Sequence, residues 1–210
     1  DLLIGIIGAG GMGTAHARNI VDLGAKVVAV HDARVGAAQT LAAEVECDVA
    51  TDSLDALFRC DLDGVVIATP PSVRVEPIGM ACERDVSIMI EKPPAVSMEE
   101  GAECAALMAD RDLFAAVGFQ LRYSPLYERL HDMLVGETVH LVRTVCTVDY
   151  YLTFKMAPWF LRHEDSGGPI AEQAIHVLDC ARYVLGDPGP LRAATFATKN
   201  MAHDHAEYDA

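Results

Sequence analysis

Gly8-Ala9-Gly10-Gly11-Met12-Gly13 follows an apolar run at 2–7 and opens a stretch of helical character. In that setting a G-x-G-x-x-G pattern is built to hold a dinucleotide. Gly8 makes the tight turn, Gly10 leaves its backbone bare for an approaching pyrophosphate, and Gly13 lets the helix pack on the strand. The amide groups that open the helix, at Gly11 and Met12, then face the diphosphate. Asp32 closes the second apolar run, 19 residues beyond Gly13. There a carboxylate accepts hydrogen bonds from ribose hydroxyls and repels a 2′-phosphate. Arg34 pulls the other way, because a guanidinium two residues on can bind that phosphate or stack on adenine. NAD is expected, with NADP the alternative.

Three further groups could do chemistry. Thr69-Pro70-Pro71 ends the fourth apolar run, and Glu91-Lys92-Pro93-Pro94 ends the fifth. A lysine directly after an apolar strand is partly desolvated, which strengthens its ammonium as a partner for a substrate oxygen. The plainer alternative is a surface Glu–Lys pair ahead of a proline turn. In the second half Glu172, His176 and Asp179 stand at i, i+4 and i+7 of an expected helix, on one face. A histidine between two carboxylates is held in one tautomer and made more basic, which suits proton abstraction from an alcohol. A solvated helix face with an incidental histidine is the alternative. A metal site lacks a second His or a Cys to complete it. His203, Asp204, His205 and Glu207 form a terminal cluster without framing elements, so no metal is expected.

These groups need elements to place them. Val- and Ile-rich runs at 2–7, 26–31, 64–68, 86–90 and 114–117, with a weaker one at 48–50, alternate with helical stretches. The helices are expected at 12–23, 35–45, 54–59, 73–83 and 98–110, the last opened by a capping box of Ser97 and Glu100. That alternation predicts an α/β fold, a doubly wound parallel sheet in a first domain, 1–118. The second domain, 119–210, is expected to be α+β. It has a helix at 125–135, a long strand at 138–151, a helix at 170–185 and a second strand at 191–199.

The 210 residues carry a formal charge of −15, with 51% apolar side chains. No Lys/Arg cluster offsets that charge, so nucleic acid and anionic membrane surfaces are not expected partners. No run reaches the roughly 20 apolar residues of a membrane span. Six cysteines, widely spaced and without a C-x-x-C pair, read as free thiols of a reducing compartment, and a cytoplasmic location is expected. The chain starts at Asp1 directly on a strand, so an upstream segment is expected to precede it.

Gly8 to Gly13, Thr69-Pro70-Pro71, Glu91-Lys92-Pro93, Gly118-Phe119-Gln120-Leu121-Arg122-Tyr123 and the Gly167 to Asp179 helix together resemble the glucose-fructose oxidoreductase/inositol dehydrogenase (Gfo/Idh/MocA) family. The resemblance covers nearly the whole chain. It implies a Rossmann domain followed by an α+β domain whose large, mostly antiparallel sheet commonly mediates homodimers or homotetramers. It also implies oxidation or reduction of a secondary alcohol or ketone in a sugar, cyclitol or related polyol with NAD or NADP. Carried over by that resemblance, Lys92 would bind the reacting hydroxyl beside the nicotinamide and His176 would be the acid/base. Glu172 would stand where many members carry Asp. Glu91, Lys92 and Gln120 would join the cofactor site, while Arg122, Tyr123, Trp159 and Asp179, with His176, would line the substrate pocket. Arg74 departs from the family, where histidine is frequent, and is expected either to add positive charge near the cofactor or to face solvent. Some relatives are glycosidases that use NAD for transient oxidation, and a few are dinucleotide-binding sensors without catalysis. The second domain stops after its second long strand, with Glu207 to Ala210 reading as the start of a third. The full gene product is therefore expected to be longer.

Overall fold

The computed structural model describes residues 1–109, 111–145, 157–168 and 170–187. The chain divides into two compact units, Asp1–Gly118 and Phe119–Ala210.

The first unit is built on six parallel strands: β1 (Leu3–Ile7), β2 (Lys26–His31), β3 (Ala50–Thr51), β4 (Gly64–Ile67), β5 (Ser87–Ile90) and β6 (Ala115–Val117). Their order in the sheet is β3-β2-β1-β4-β5-β6, and every adjacent pair runs parallel. The connecting helices are α1 (Gly11–Asp22), α2 (Val35–Glu44), α3 (Leu54–Leu57), α4 (Val75–Cys82) and α5 (Met98–Met108). Both faces of the sheet are covered, which is why the strands read as near-continuous apolar runs rather than alternating ones. Ile6, Val30 and Val66 pack with Ala17 of α1 and Ala38 and Leu41 of α2. Ile7, Ile67, Ile88 and Ile90 pack on the other face with Leu57, Ile78 and Cys104. Neighbours such as Ile6 and Ile7 point to opposite faces, as the pleat requires. Each such fully buried side chain contributes about 1.5–3 kcal/mol relative to exposure.

The chain order reverses between β1 and β4, the two strands on which the halves of the sheet diverge. In open α/β sheets that point leaves a crevice at the carboxyl ends of the strands, where ligands bind. The Gly8 turn, the Thr69 loop and the Glu91 loop all leave from this edge. Ser97 caps α5 by accepting from Glu100 N–H at 3.1 Å. The reciprocal arm differs from a capping box, since the Glu100 carboxylate accepts from Val96 N–H at 3.3 Å. The helix expected at 73–83 is a 3-10 turn, Pro71–Val73, followed by α4.

The second unit contains α6 (Pro125–Leu134), a short α7 (His163–Ser166) and α8 (Ile175–Leu185). Two expectations are corrected here. The helix at 170–185 is not a single α-helix, because Ile170–Ala174 forms a π turn before α8 begins. The strand at 138–151 is not formed over 138–145, which is irregular and exposed. An isolated run of β-branched residues leaves its backbone groups unpaired until a neighbouring strand supplies a ladder. Residues 146–151, the strand expected at 191–199 and the terminal cluster His203 to Glu207 lie outside the described residues.

Candidate functional site

The cradle starts at Gly8, whose φ of 100° lies in the region that favours glycine. Its N–H donates to the His31 carbonyl at 2.8 Å, which ties the turn after β1 to the end of β2. A methyl group on Gly13 would sit 1.8 Å from the Gly8 carbonyl oxygen, so only glycine lets α1 start this close to the turn. At Gly10 and Gly11 an added Cβ would meet nothing within 4 Å. The backbone there is open, and no side chain caps α1 and no acidic residue occupies its first turn. Bare amide groups at a helix N-terminus suit an anion, and the cradle fits a dinucleotide diphosphate. Met12 is exposed beside it.

Asp32 stands at the end of β2. One carboxylate oxygen accepts from Ala9 N–H at 2.9 Å, and the other accepts from Arg34 N–H at 2.9 Å and from its Nε at 3.4 Å. The carboxylate thus fixes the glycine turn while Arg34 lies over it in solvent. One side chain that sequence reasoning missed completes this unit. His16, on α1, meets Glu91 at 2.7 Å between Nε2 and Oε1. Glu91 is only 6% exposed, and its second oxygen accepts from Lys92 N–H at 3.1 Å. Burial pushes this carboxyl up, but the His16 hydrogen bond and charge, with the Lys92 N–H and charge, outweigh it and hold Glu91 below its ordinary value of 4.5. Lys92 itself is half-buried, and the peptide joining it to Pro93 is cis.

For Arg74 the structure excludes one of the two expected outcomes: it does not face solvent, being 3% exposed. Its Nε and Nη2 donate to the Thr69 carbonyl at 3.1 and 2.6 Å, and Nη1 donates to the carbonyls of Glu91 and Pro93. The Thr69-Pro70-Pro71 and Glu91-Lys92-Pro93 loops are therefore stitched together by one guanidinium. No sequence signal announced this, since an arginine before a helix ordinarily reads as a surface residue.

In the second unit the Arg122 guanidinium grips the Asp179 carboxylate through two bonds, one of 2.8 Å from Nε and one from Nη2. Its hydrogen bond to Asp179 raises the Arg122 pKa against the opposing effect of burial. The same guanidinium lies 5.7 Å from the centres of the Phe119 and Tyr183 rings. Asp179 is 4% and Glu172 2% exposed, while Tyr123 is 78% exposed. His176 is half-buried on the first turn of α8, and Glu172 sits on the π turn before it. Glu172 and His176 therefore do not belong to one continuous α-helix, whereas His176 and Asp179 share α8. Trp159 meets Phe160 edge to face at 5.6 Å in a separate 3-10 turn, Pro158–Leu161. Gln120 is exposed at the start of another, Gln120–Tyr123. Among the described residues no cluster of three or more His, Cys, Asp or Glu side chains could hold a metal ion.

Strand order and glycine cradle together define a dinucleotide-binding protein of the doubly wound class. Residues 2–119 match the model of an oxidoreductase family with an NAD-binding Rossmann fold, and 127–209 match the GFO/IDH/MocA C-terminal domain. The chain belongs to the Gfo/Idh/MocA oxidoreductase family, and its first unit is that family's NAD-binding domain. It is 32% identical over 193 residues to scyllo-inositol 2-dehydrogenase (NAD(+)) of Bacillus subtilis strain 168, covering 86% of this chain and 53% of that protein. It is 31% identical over 206 residues to 2,7-anhydro-N-acetylneuraminate hydratase of Mediterraneibacter gnavus, covering 94% and 52%. The fold is shared with a levoglucosan dehydrogenase solved with NADH and L-sorbose, with a TM-score of 0.75, 23% identity, and coverage of 89% and 53%. The chain spans about half the length of the curated relatives it matches.

Proposed function

We propose that the protein is an NAD(P)-dependent dehydrogenase acting on a secondary alcohol or ketone of a sugar, cyclitol or related polyol, with NAD as its working cofactor. The observation that carries this reading is the half-buried Lys92 at the carboxyl end of β5, in the same sheet edge as the open Gly10–Gly11 backbone. Gly8, Gly10, Gly11 and Met12 would hold the diphosphate, Asp32 the adenosine ribose with Arg34 beside it, and Thr69, Pro70, Pro71 and Gln120 the nicotinamide half. Glu91 supports that half from behind, through His16 and the Lys92 backbone. When bound, NAD supplies the carbon that accepts or returns hydride.

The Lys92 ammonium donates a hydrogen bond to the reacting oxygen and stabilises the charge that develops there. His176 takes the hydroxyl proton on an imidazole nitrogen and returns it in the reverse direction. Glu172, buried one turn earlier, favours the protonated imidazole; it is one methylene longer than the Asp of many relatives. Tyr123 and Trp159 offer rings to the apolar face of a sugar. Arg122 offers its donors, with Asp179 both a wall of the pocket and the anchor of that guanidinium.

The relative named a hydratase favours a second reading, in which oxidation is transient and turnover releases no reduced cofactor. A screen of sugars, inositols and sugar acids with NAD and NADP, read by absorbance of the reduced nicotinamide, separates the two. Net reduction supports the dehydrogenase, and product without net reduction supports the second reading. Dinucleotide binding without any turnover would instead indicate a sensor. Lys92→Met and His176→Ala are each expected to lower turnover about 10²–10⁴-fold. Full turnover in both variants overturns the assignment. A homodimer or homotetramer is part of this proposal, supported by exposed Leu126, Met133, Leu141 and Val145 on the second unit; light scattering against 22.6 kDa per chain tests it.

A further inference from the structure

Arg74 is a cation almost wholly removed from water, and the bonds described above join it to carbonyl oxygens on two loops. One oxygen, of Thr69, belongs to the loop after β4. The other two, of Glu91 and Pro93, stand on either side of Lys92. A guanidinium is planar and presents its N–H groups in a fixed fork, so three acceptors in different directions can be held by one rigid group. Burying the cation is costly, and the arrangement persists because each donor is matched by a carbonyl that would otherwise be buried without one. The adjoining Lys92 N–H is held separately, by the Glu91 carboxylate.

We propose that Arg74 is a positioning residue: its guanidinium clamps the backbone on both sides of Lys92 to the Thr69 loop and so sets where the Lys92 ammonium stands. This inference rests on the role given to Lys92 under the proposed function. Lysine at position 74 keeps the charge but has a compact ammonium on a flexible stem and cannot span the same three acceptors. A misplacement of about 1 Å in a reacting group can cost about 10²-fold in rate.

The test compares the parent chain with Arg74→Lys, Arg74→Met and Lys92→Met. The readouts are amide hydrogen exchange at Lys92 and Ala95, the dissociation constant for NADH by fluorescence, and kcat and KM on the best polyol of the panel. For Arg74→Lys we expect exchange at the two amides to quicken at least about tenfold and kcat to fall at least about tenfold. NADH affinity should fall by a smaller factor than kcat, because the diphosphate cradle at Gly8 to Gly13 is untouched and only the loops at the nicotinamide half are loosened. Arg74→Met is expected to exaggerate the same pattern. If it does not fold, Arg74→Lys decides alone. Parent-like exchange and kcat in Arg74→Lys, beside an inactive Lys92→Met, overturn the clamp and leave the reading of Lys92 standing. An equal loss of NADH affinity and kcat overturns it as well, placing Arg74 in the cofactor site. A fully active Lys92→Met overturns the Lys92 reading instead, whatever the exchange shows.

Discussion

At Gly13 a methyl group has no room, and at Gly10, three residues earlier in the same turn, it has nothing to touch. The two positions therefore separate folding from binding. Gly13→Ala must displace the backbone at Gly8, and is expected to lose both thermal stability, by about 1–3 kcal/mol, and measurable NADH affinity. Gly10→Ala is expected to keep stability within about 0.5 kcal/mol. It should nevertheless weaken NADH binding at least tenfold, or about 1.4 kcal/mol, because its methyl fills the space a diphosphate would take. Fluorescence titration and thermal melts on both variants check this, and unchanged affinity in Gly10→Ala would refute the cradle. The glycine pattern was legible because each glycine answers a local demand. The inward turn of Arg74 was not legible, since its three acceptors come from loops that meet only in the fold.

Between elements, the pair His16–Glu91 joins α1 to the loop after β5 across 75 residues of sequence. It carries a pH signature. Glu91 is held below its ordinary 4.5, so its contribution to stability is present above that value and is lost as pH falls through the folded one. His31, at the end of β2, is lowered from 6.5 by burial, against a hydrogen bond to the Asp52 backbone and the charges of Asp32, Asp52 and Glu76. A depressed histidine binds fewer protons folded than unfolded, so this contribution too is lost on acidification, beginning below about 6.5. Melting temperature is expected to fall in two stages between neutral pH and pH about 3. His31→Gln should remove the upper stage and Glu91→Gln the lower, and melts across the range that show three identical curves would refute both assignments. Helix and strand spacing was readable from apolar periodicity. The π turn at Ile170–Ala174 was not, because its residues have no distinctive propensity and the altered hydrogen bonding is set by what the turn packs against.

On the scale of the whole molecule, a formal charge of −15 opposes compaction through self-repulsion. Raising salt from about 0.01 to 0.15 M shortens the screening length from about 30 to 8 Å. The melting temperature is expected to rise by a few degrees, as thermal scans at the two salt levels will show; a fall would mean that attractive pairs such as Arg122–Asp179 dominate instead. Among the described residues no helix is long and apolar enough to cross a membrane. Sequence alone determined the doubly wound α/β class, the dinucleotide cradle and the family, because strand hydrophobicity, glycine placement and short motifs are encoded within a few residues of one another. Tertiary structure decided which polar groups are spent on one another: Asp32 on the Ala9 amide, Glu91 on His16, Asp179 on Arg122 and Arg74 on two loops. Apart from Thr69, five residues before Arg74, those partners lie well apart along the chain, and burial makes such groups demand a partner that only the folded backbone can bring within reach.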